Sequence, residues 1–248
     1  GNIWLASMVD GVYIYFPASG FMDHLRENFS SARGLLSNRL FELYQDSQFG
    51  IWLGGENGLQ YYQYRTQKFN IYPGLSNISD QLRGSTLYGI VELDNDIIMA
   101  TSGGLLVYNR VTNRYVPVDY PASYKPGSVR FRYLDWEGPA EWWITSDQGV
   151  FRLRQKEGRY VVDRPPAMAG SAVFREKNIR KYLKRDGIYW FALAQEGLMR
   201  WNPADKSLRF FTHREGDSSS LPNDVINQMD FDQDGHIMLG LNEGMSVL

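Results

Sequence analysis

The chain has no cysteine among its 248 residues, which excludes disulfides, thiolate metal sites and cysteine nucleophiles. It has only three histidines, His24, His213 and His236, scattered along the sequence, and nothing in their placing suggests ligands converging on a metal. No stretch approaches the roughly 18 apolar residues that a membrane helix needs, and no signal-peptide pattern is present. Charge of one sign is also lacking. With 26 Lys and Arg against 28 Asp and Glu, the formal net charge of −2 excludes the strongly basic balance of a nucleic-acid binder. No run of five or six like charges occurs. The most basic stretch, Arg175 to Arg185, is broken by Glu176 and bounded by Asp186, and strand alternation would point many of its charges to solvent. No Gly-x-Ser-x-Gly elbow, phosphate loop or dinucleotide fingerprint appears; Ser102-Gly103-Gly104 is glycine-rich but opens no helix. No general acid and base can be nominated, so an enzyme is not expected. No cofactor is expected either.

What the chain does have is a repeat. Apolar triplets stand at Ile3-Trp4-Leu5, Ile51-Trp52-Leu53, Ile97-Ile98-Met99, Trp142-Trp143-Ile144, Tyr189-Trp190-Phe191 and Ile237-Met238-Leu239. A glycine follows each, at Gly11, Gly58, Gly104, Gly149, Gly197 and Gly244, spaced 47, 46, 45, 48 and 47 residues apart. Four positions past each glycine is a large apolar side chain: Tyr15, Tyr62, Tyr108, Leu153, Trp201 and Leu248. A period of this length carried by short apolar segments is the mark of a repeat architecture.

The segments between turn residues are short, alternating and rich in aromatic and β-branched residues, which reads as strand. One period from residue 36 to residue 72 holds four strands: one through Leu40, Leu43 and Tyr44, one from Ile51 to Gly54, one from Leu59 to Tyr64 and one from Lys68 to Tyr72. The repeat glycines supply the positive φ of the second turn. A four-stranded meander of about 45 residues cannot bury its apolar faces alone, whereas radial stacking covers them. The expectation is an all-β fold, a single β-propeller of four-stranded antiparallel blades over 1–248 with about six repeat units. The incomplete first blade covers 1–27, blades follow over about 35–75, 84–120, 128–165, 177–214, and an incomplete last blade covers 222–248. The count gives six second and six third strands but five first and five fourth strands, so the chain reads as a portion of a longer polypeptide.

Asp230-Phe231-Asp232-Gln233-Asp234-Gly235 resembles the start of an EF-hand calcium loop. Such a loop needs a bidentate Glu in its twelfth place, which here is Leu241, so the segment reads as an ordinary turn. His24 and His213 fall at matching repeat positions. Most of the 36 aromatic residues fall on the repeat template and belong to a core; Phe29, Tyr120, Tyr124 and Trp136 do not. In a meander blade the turn from second to third strand and the connection to the next blade emerge on one face. That face is where a ligand is expected, through Glu56, Asn57, Tyr124, Asp147, Gln195, Glu196, Asn242 and Glu243.

The segments Leu36-Ser37-Asn38 to Leu59 and Leu221-Pro222-Asn223 to Met245 resemble the two-component regulator propeller repeat. Its pattern is a Leu-Pro-x-Asn lead-in, a short apolar strand, an Asp-x-x-Gly turn, Ile-Trp-Ile-Gly-Thr, then Gly-Leu and an aromatic followed by Asp. Leu36, Ser37, Asn38, Asp46, Gly50, Ile51, Trp52, Leu53, Gly54, Gly58, Leu59 and Tyr62 follow it, with a lead-in one residue short and Gln63 in place of the final Asp. The resemblance implies the periplasmic sensor region of a bacterial hybrid two-component or diguanylate cyclase receptor. It implies seven-bladed rings, often in tandem, a membrane link only through segments outside this chain, and signalling as a homodimer. It also implies a small ligand, such as an oligosaccharide. A protein-interaction scaffold without a small ligand and a propeller lyase are the rival readings.

Overall fold

The computed structural model describes residues 1–28, 34–63, 68–71, 85–124, 127–168 and 170–248. Phe29, Tyr72 and Pro73-Gly74 of the sequence reading lie outside them. The chain forms two compact units, Gly1–Phe131 with Gln155–Val161, and Arg132–Arg154 with Val162–Leu248.

Among the described residues the fold is all-β and mostly antiparallel, with six sheets in chain order. The first holds β1 (Ile3–Ala6), β2 (Val12–Phe16) and β3 (Phe21–Leu25); the second β4 (Leu40–Gln45), β5 (Ile51–Gly55), β6 (Gly58–Gln63) and β7 (Lys68–Ile71). The third holds β8 (Leu87–Leu93), β9 (Asp96–Thr101), β10 (Gly104–Asn109) and β11 (Arg114–Tyr115). After β12 (Val118–Asp119), the fourth is β13 (Phe131–Gly138), β14 (Glu141–Ser146), β15 (Gly149–Lys156) and β16 (Arg159–Asp163). The fifth is β17 (Ile179–Arg185), β18 (Ile188–Leu193), β19 (Leu198–Asn202) and β20 (Ser207–Phe211), and the sixth β21 (Ile226–Phe231), β22 (Ile237–Leu241) and β23 (Gly244–Val247). Apart from β12, which adds a fifth strand to the fourth sheet, each sheet is a meander, and among the described residues the strands expected from the repeat are present in their expected places.

Two elements stand outside the template. β12 pairs in parallel with β16, Val118 opposite Tyr160 and Asp119 opposite Val161. A single helical turn, α1 (Val173–Glu176), precedes β17 and buries Phe174. Arg175 and Glu176, the start of the basic stretch, lie in this turn, ahead of the blade expected from 177.

The apolar triplets form the second strands; apart from the first, where Ile3 and Leu5 are exposed, their side chains are largely buried in seam clusters shared by consecutive sheets within each unit. In the first unit, Val12, Ile14, Leu35, Leu40, Ile51 and Leu53 form one cluster and Trp52, Leu87, Ile90, Ile97, Met99 and Leu106 are among those forming another. In the second unit, Trp143, Phe174, Tyr182, Tyr189, Phe191 and Trp201 lie in one cluster, and Leu198, Ile226, Met229, Ile237 and Leu239 in the next. Fully burying a side chain of this size stabilises by about 1.5–3 kcal/mol, so the seams are the main source of stability.

The repeat glycines all have positive φ, from 76° to 142°. At three of them a second constraint acts. Gly11 donates its N–H to Asn38 O (2.8 Å), Gly149 to Lys177 O (2.7 Å) and Gly197 to Asp224 O (3.0 Å). A Cβ at these positions would overlap the carbonyl oxygens of Leu25, Phe174 and Phe211 respectively. The glycine thus lets the turn of one sheet close onto the chain leading into the next.

The lead-in itself departs from the sequence reading in one respect. Leu35, not Leu36, is the buried leucine at 1 % exposure, matching Leu221 at 5 %. The lead-in Leu35-Leu36-Ser37-Asn38 is therefore full length rather than one residue short. Its last residue works as a clamp: Asn38 Oδ1 accepts the N–H of Glu27 (2.8 Å), and Asp224 Oδ1 accepts that of His213 (2.6 Å).

Candidate functional site

The two ends of each sheet differ in chemistry. At the turn from first to second strand, charged groups tie neighbouring segments together. Asp46, 4 % exposed, accepts from Gly50 N (2.8 Å), Trp52 Nε1 (2.9 Å) and Arg110 Nη1 (3.1 Å). Arg110 also bonds Glu92, which in turn accepts from Ser47 N (2.8 Å) and Ser47 Oγ (2.9 Å). In the second unit Glu137 Oε2 accepts from Lys184 Nζ (2.7 Å) and Tyr189 OH (2.8 Å). Asp46 and Glu92 are matched by their donors, whereas Glu137 Oε1 is buried without a hydrogen-bond partner; all three tie consecutive sheets together.

The same end holds the Asp232 turn. His236 N and Nδ1 reach Asp232 Oδ1 (2.8 Å) and Oδ2 (2.9 Å), and the bond from the imidazole holds the Asp232 carboxyl below its ordinary value. Asp232, Asp234 and His236 bring their ligand atoms within 4.8 Å of one another. Leu241 is buried in a seam cluster, and the Arg185 guanidinium fills the space a Cβ on Gly235 would need, setting a positive charge at the turn. The arrangement is that of a capped turn. His24 bonds Asp10 O through Nε2 (2.6 Å) and stacks on Tyr13 at 4.0 Å, while His213 Nδ1 meets Leu221 O at 2.7 Å. The hydrogen bond from Tyr13 and the charge of Arg26 hold the Asp10 carboxyl low against the opposing effect of burial.

At the opposite end, the turns from second to third strand meet the lead-in segments, as the meander geometry predicts. Glu56 N donates to Arg39 O (3.2 Å), Arg39 Nε lies 3.7 Å from Glu56 Oε2, and Asn57 Nδ2 donates to Leu36 O (3.0 Å). Arg164 Nη1 links Gln148 O (2.7 Å) to Val150 O (2.9 Å), and its guanidinium lies 3.6 Å over the Phe151 ring. Burial and the nearby Arg175 lower its pKa to about 10. Lys177 pairs with Glu196. Asn242 N donates to Val225 O (3.3 Å), and Asn242 Oδ1 accepts from Asn227 Nδ2 (2.8 Å).

Of the eight expected site residues, Glu56, Asn57, Gln195, Glu196, Asn242 and Glu243 are exposed at these turns, and Asp147 is half-buried at its own. Glu56, Asn57 and Tyr124 belong to the first unit; Asp147, Gln195, Glu196, Asn242 and Glu243 belong to the second. Tyr124 is different: it stacks between Tyr120 (4.2 Å, 9°) and Phe131 (6.2 Å, 14°), covering the sheet rather than offering a ring face. Tyr120 bonds Leu105 N (2.8 Å), and burial pushes its phenol up to about 12. Trp136 is exposed in β13.

The sequence reading missed a recurring β-bulge. In β4, β8, β17 and β21 the register with the second strand slips by one residue, leaving Phe41, Tyr88, Arg180 and Asn227 as the extra residues. Each slip lies opposite the last residues of the second strand, beside the turn to the third. Bulges re-aim side chains and are over-represented next to functional sites. In the first unit Phe41 and Tyr88 meet at 5.5 Å; in the second, Arg180 Nη1 bonds Asn227 Oδ1 and reaches Ile226 O (3.4 Å). The spacing of the slips, 47 residues between members of each pair, is legible in the sequence only once the bulge is known.

No family model matches the chain, and no curated protein matches it in sequence. Solved structures do. The chain is similar, at 18 % identity and a TM-score of 0.75, to the extracellular domain of an inferred hybrid two-component system from B. thetaiotaomicron, covering 98 % of this chain and 31 % of that one. It is similar at 13 % identity and a TM-score of 0.71 to PorZ of Porphyromonas gingivalis, a surface component of the type-IX secretion system, over 100 % of this chain and 37 % of that one. An auxiliary nutrient binding protein from B. thetaiotaomicron matches at 8 % identity and a TM-score of 0.64, covering 99 % of this chain and 66 % of that one. The chain spans about a third of the length of the first two. At these identities the likeness is one of fold.

Proposed function

We propose that this chain is a β-propeller forming the ligand-recognition part of a bacterial extracytoplasmic receptor, acting by binding rather than catalysis. The observation that carries the reading is the repeated union of second-to-third-strand turns with lead-in segments at one end of the sheets. In the second unit Glu196 and Asn242 are exposed there and held by charged or backbone partners, as Glu56 and Asn57 are, separately, in the first. A set of polar side chains on rigid strand ends is the kind of surface that recognises a small ligand. The occurrence of this fold in the extracellular part of a two-component system and in a nutrient binding protein supports the reading. A periplasmic location, a link to the membrane through segments outside 1–248, and action as a homodimer belong to the same proposal. The ligand class is an oligosaccharide or a comparable small polar molecule.

The test is a thermal-shift screen of the chain against an oligosaccharide panel, repeated on a variant with Gln195, Glu196, Asn242 and Glu243 all changed to alanine. A ligand that binds the native state raises the melting temperature by mass action. The reading expects hits that the variant loses. Hits that survive the fourfold substitution unchanged would remove this face from the binding site.

A further inference from the structure

The bulge position in the second unit holds charge where the first unit holds an aromatic pair. Phe41 and Tyr88 pack against each other, the arrangement that burial alone favours. At the corresponding place in β17 is Arg180, half-buried, with Arg132 of β13 near enough for its positive charge to act on it. Burial first, and then Arg132, lower the pKa of the Arg180 guanidinium. Two cations in this setting repel, and no ion pair forms at Arg180 among the described residues. Its acceptors are neutral, Asn227 Oδ1 and Ile226 O, and its Nε is buried without a partner. The site is nonetheless built firmly. Thr145 Oγ1, fully buried in β14, donates to Arg180 O (2.9 Å) and so fixes the bulge backbone. Asn227 is held in turn by Asn242.

A guanidinium whose Nη2 is unused, beside a second guanidinium and a pair of amides, has the donors that an oxyanion requires. Packing does not explain it, since an aromatic pair performs that role at the equivalent place. We propose that Arg180, with Asn227 and Asn242 and under the field of Arg132, forms a subsite for an oxyanion group, a carboxylate or sulfate on a small ligand. The proposal rests on the loop-end reading above and names the charge of the ligand it takes. Arg180 supplies charge-assisted hydrogen bonds through Nη2, which neither Asn227 nor Ile226 takes up, and the two amides donate at the exposed rim.

The experiment is calorimetric titration of the chain with sodium glucuronate, with glucose as the neutral counterpart and sodium sulfate as the inorganic anion, all at one ionic strength. Glucuronate binds and glucose does not at the same concentration; sulfate competes if the subsite reads charge alone, and fails to compete if it reads the planar carboxylate. Arg180→Gln weakens glucuronate by roughly tenfold or more, the scale of a lost charged hydrogen bond, and Arg180→Lys by less. Melting curves of both variants report whether the fold is kept, and Asn242→Ala, at an exposed turn, gives a second weakening without touching the seam. Equal glucuronate affinity in wild type and Arg180→Gln overturns the proposal, as does the absence of binding by both anions. Binding of glucose with no preference for glucuronate also overturns it, while leaving the loop-end reading standing.

Discussion

Two of the six repeat glycines separate what positive φ costs from what close approach costs. Gly149 has φ of 82° and Gly244 has φ of 94°, so alanine at either is forced into the left-handed region. That strain is about 1–2 kcal/mol for an L residue. At Gly244 nothing lies within 4 Å of the added Cβ, and the strain is the whole effect. At Gly149 the Cβ overlaps Phe174 O, and the carbonyl cannot move without disturbing α1 and the bond from Gly149 N to Lys177 O. Losing that bond adds about 0.5–1.5 kcal/mol, and the displaced Phe174, 2 % exposed, adds lost packing. Gly149→Ala therefore costs about 3 kcal/mol or more, against about 1–2 kcal/mol for Gly244→Ala. Gly11 and Gly58 repeat the contrast in the first unit, since Gly11 faces Leu25 O and Gly58 faces open space. Chemical denaturation of the four variants, compared by midpoint at constant slope, checks it. Equal losses within each pair would refute the claim that these glycines join consecutive sheets.

Trp52→Phe keeps most of the apolar volume but removes the indole N–H from the buried Asp46 carboxylate, and a loss of about 2 kcal/mol is expected in urea unfolding. Asn38→Ala and Asp224→Ala each leave a lead-in N–H without its clamp, at Glu27 and His213, and each should cost about 1 kcal/mol by the same measurement. Burial works to raise the Asp163 carboxyl, but the guanidiniums of Arg152 (2.6 Å from Nε) and Arg154 hold it below its ordinary value. A depressed folded pKa gives stability that is present above the unfolded value of about 3.9 and is lost as pH falls through the folded one. Melting temperatures from pH 6 down to pH 2.5 should show the advantage of wild type over Asp163→Asn shrinking below about pH 4; a constant gap would contradict the pairing.

The sheets were legible because the repeat glycine and the apolar triplet are demanded by backbone geometry and by burial, and both forces act on residue type directly. The turn positions of Glu56, Asn57, Gln195, Glu196, Asn242 and Glu243 followed from the same phase. Leu35 was missed because two leucines stand side by side, and only the packing shows which one is buried. Tyr124 was placed on the ligand face although a loop aromatic more often packs over the end of a sheet, and its stack between Tyr120 and Phe131 is that packing. β12 and α1 are too short to leave a periodic trace: two residues and four residues cannot establish a pattern against their neighbours.

The bulges were hidden for a deeper reason. A slip of one residue between Leu40 and Glu42, or between Ile179 and Lys181, leaves the period of the repeat unchanged while turning one side chain per sheet out of the alternation. The seam positions on either side must stay apolar, so variation in them is punished by lost packing. The bulge residue escapes that demand, which is why one template carries phenylalanine, tyrosine, arginine and asparagine at a single structural place. A set of equivalent positions that packing does not prescribe, set beside the exposed turns, is where a repeat fold can acquire chemistry without loss of its core. Of the four, Arg180 is the one whose charge packing leaves unexplained, and the proposed oxyanion subsite gives that charge a partner.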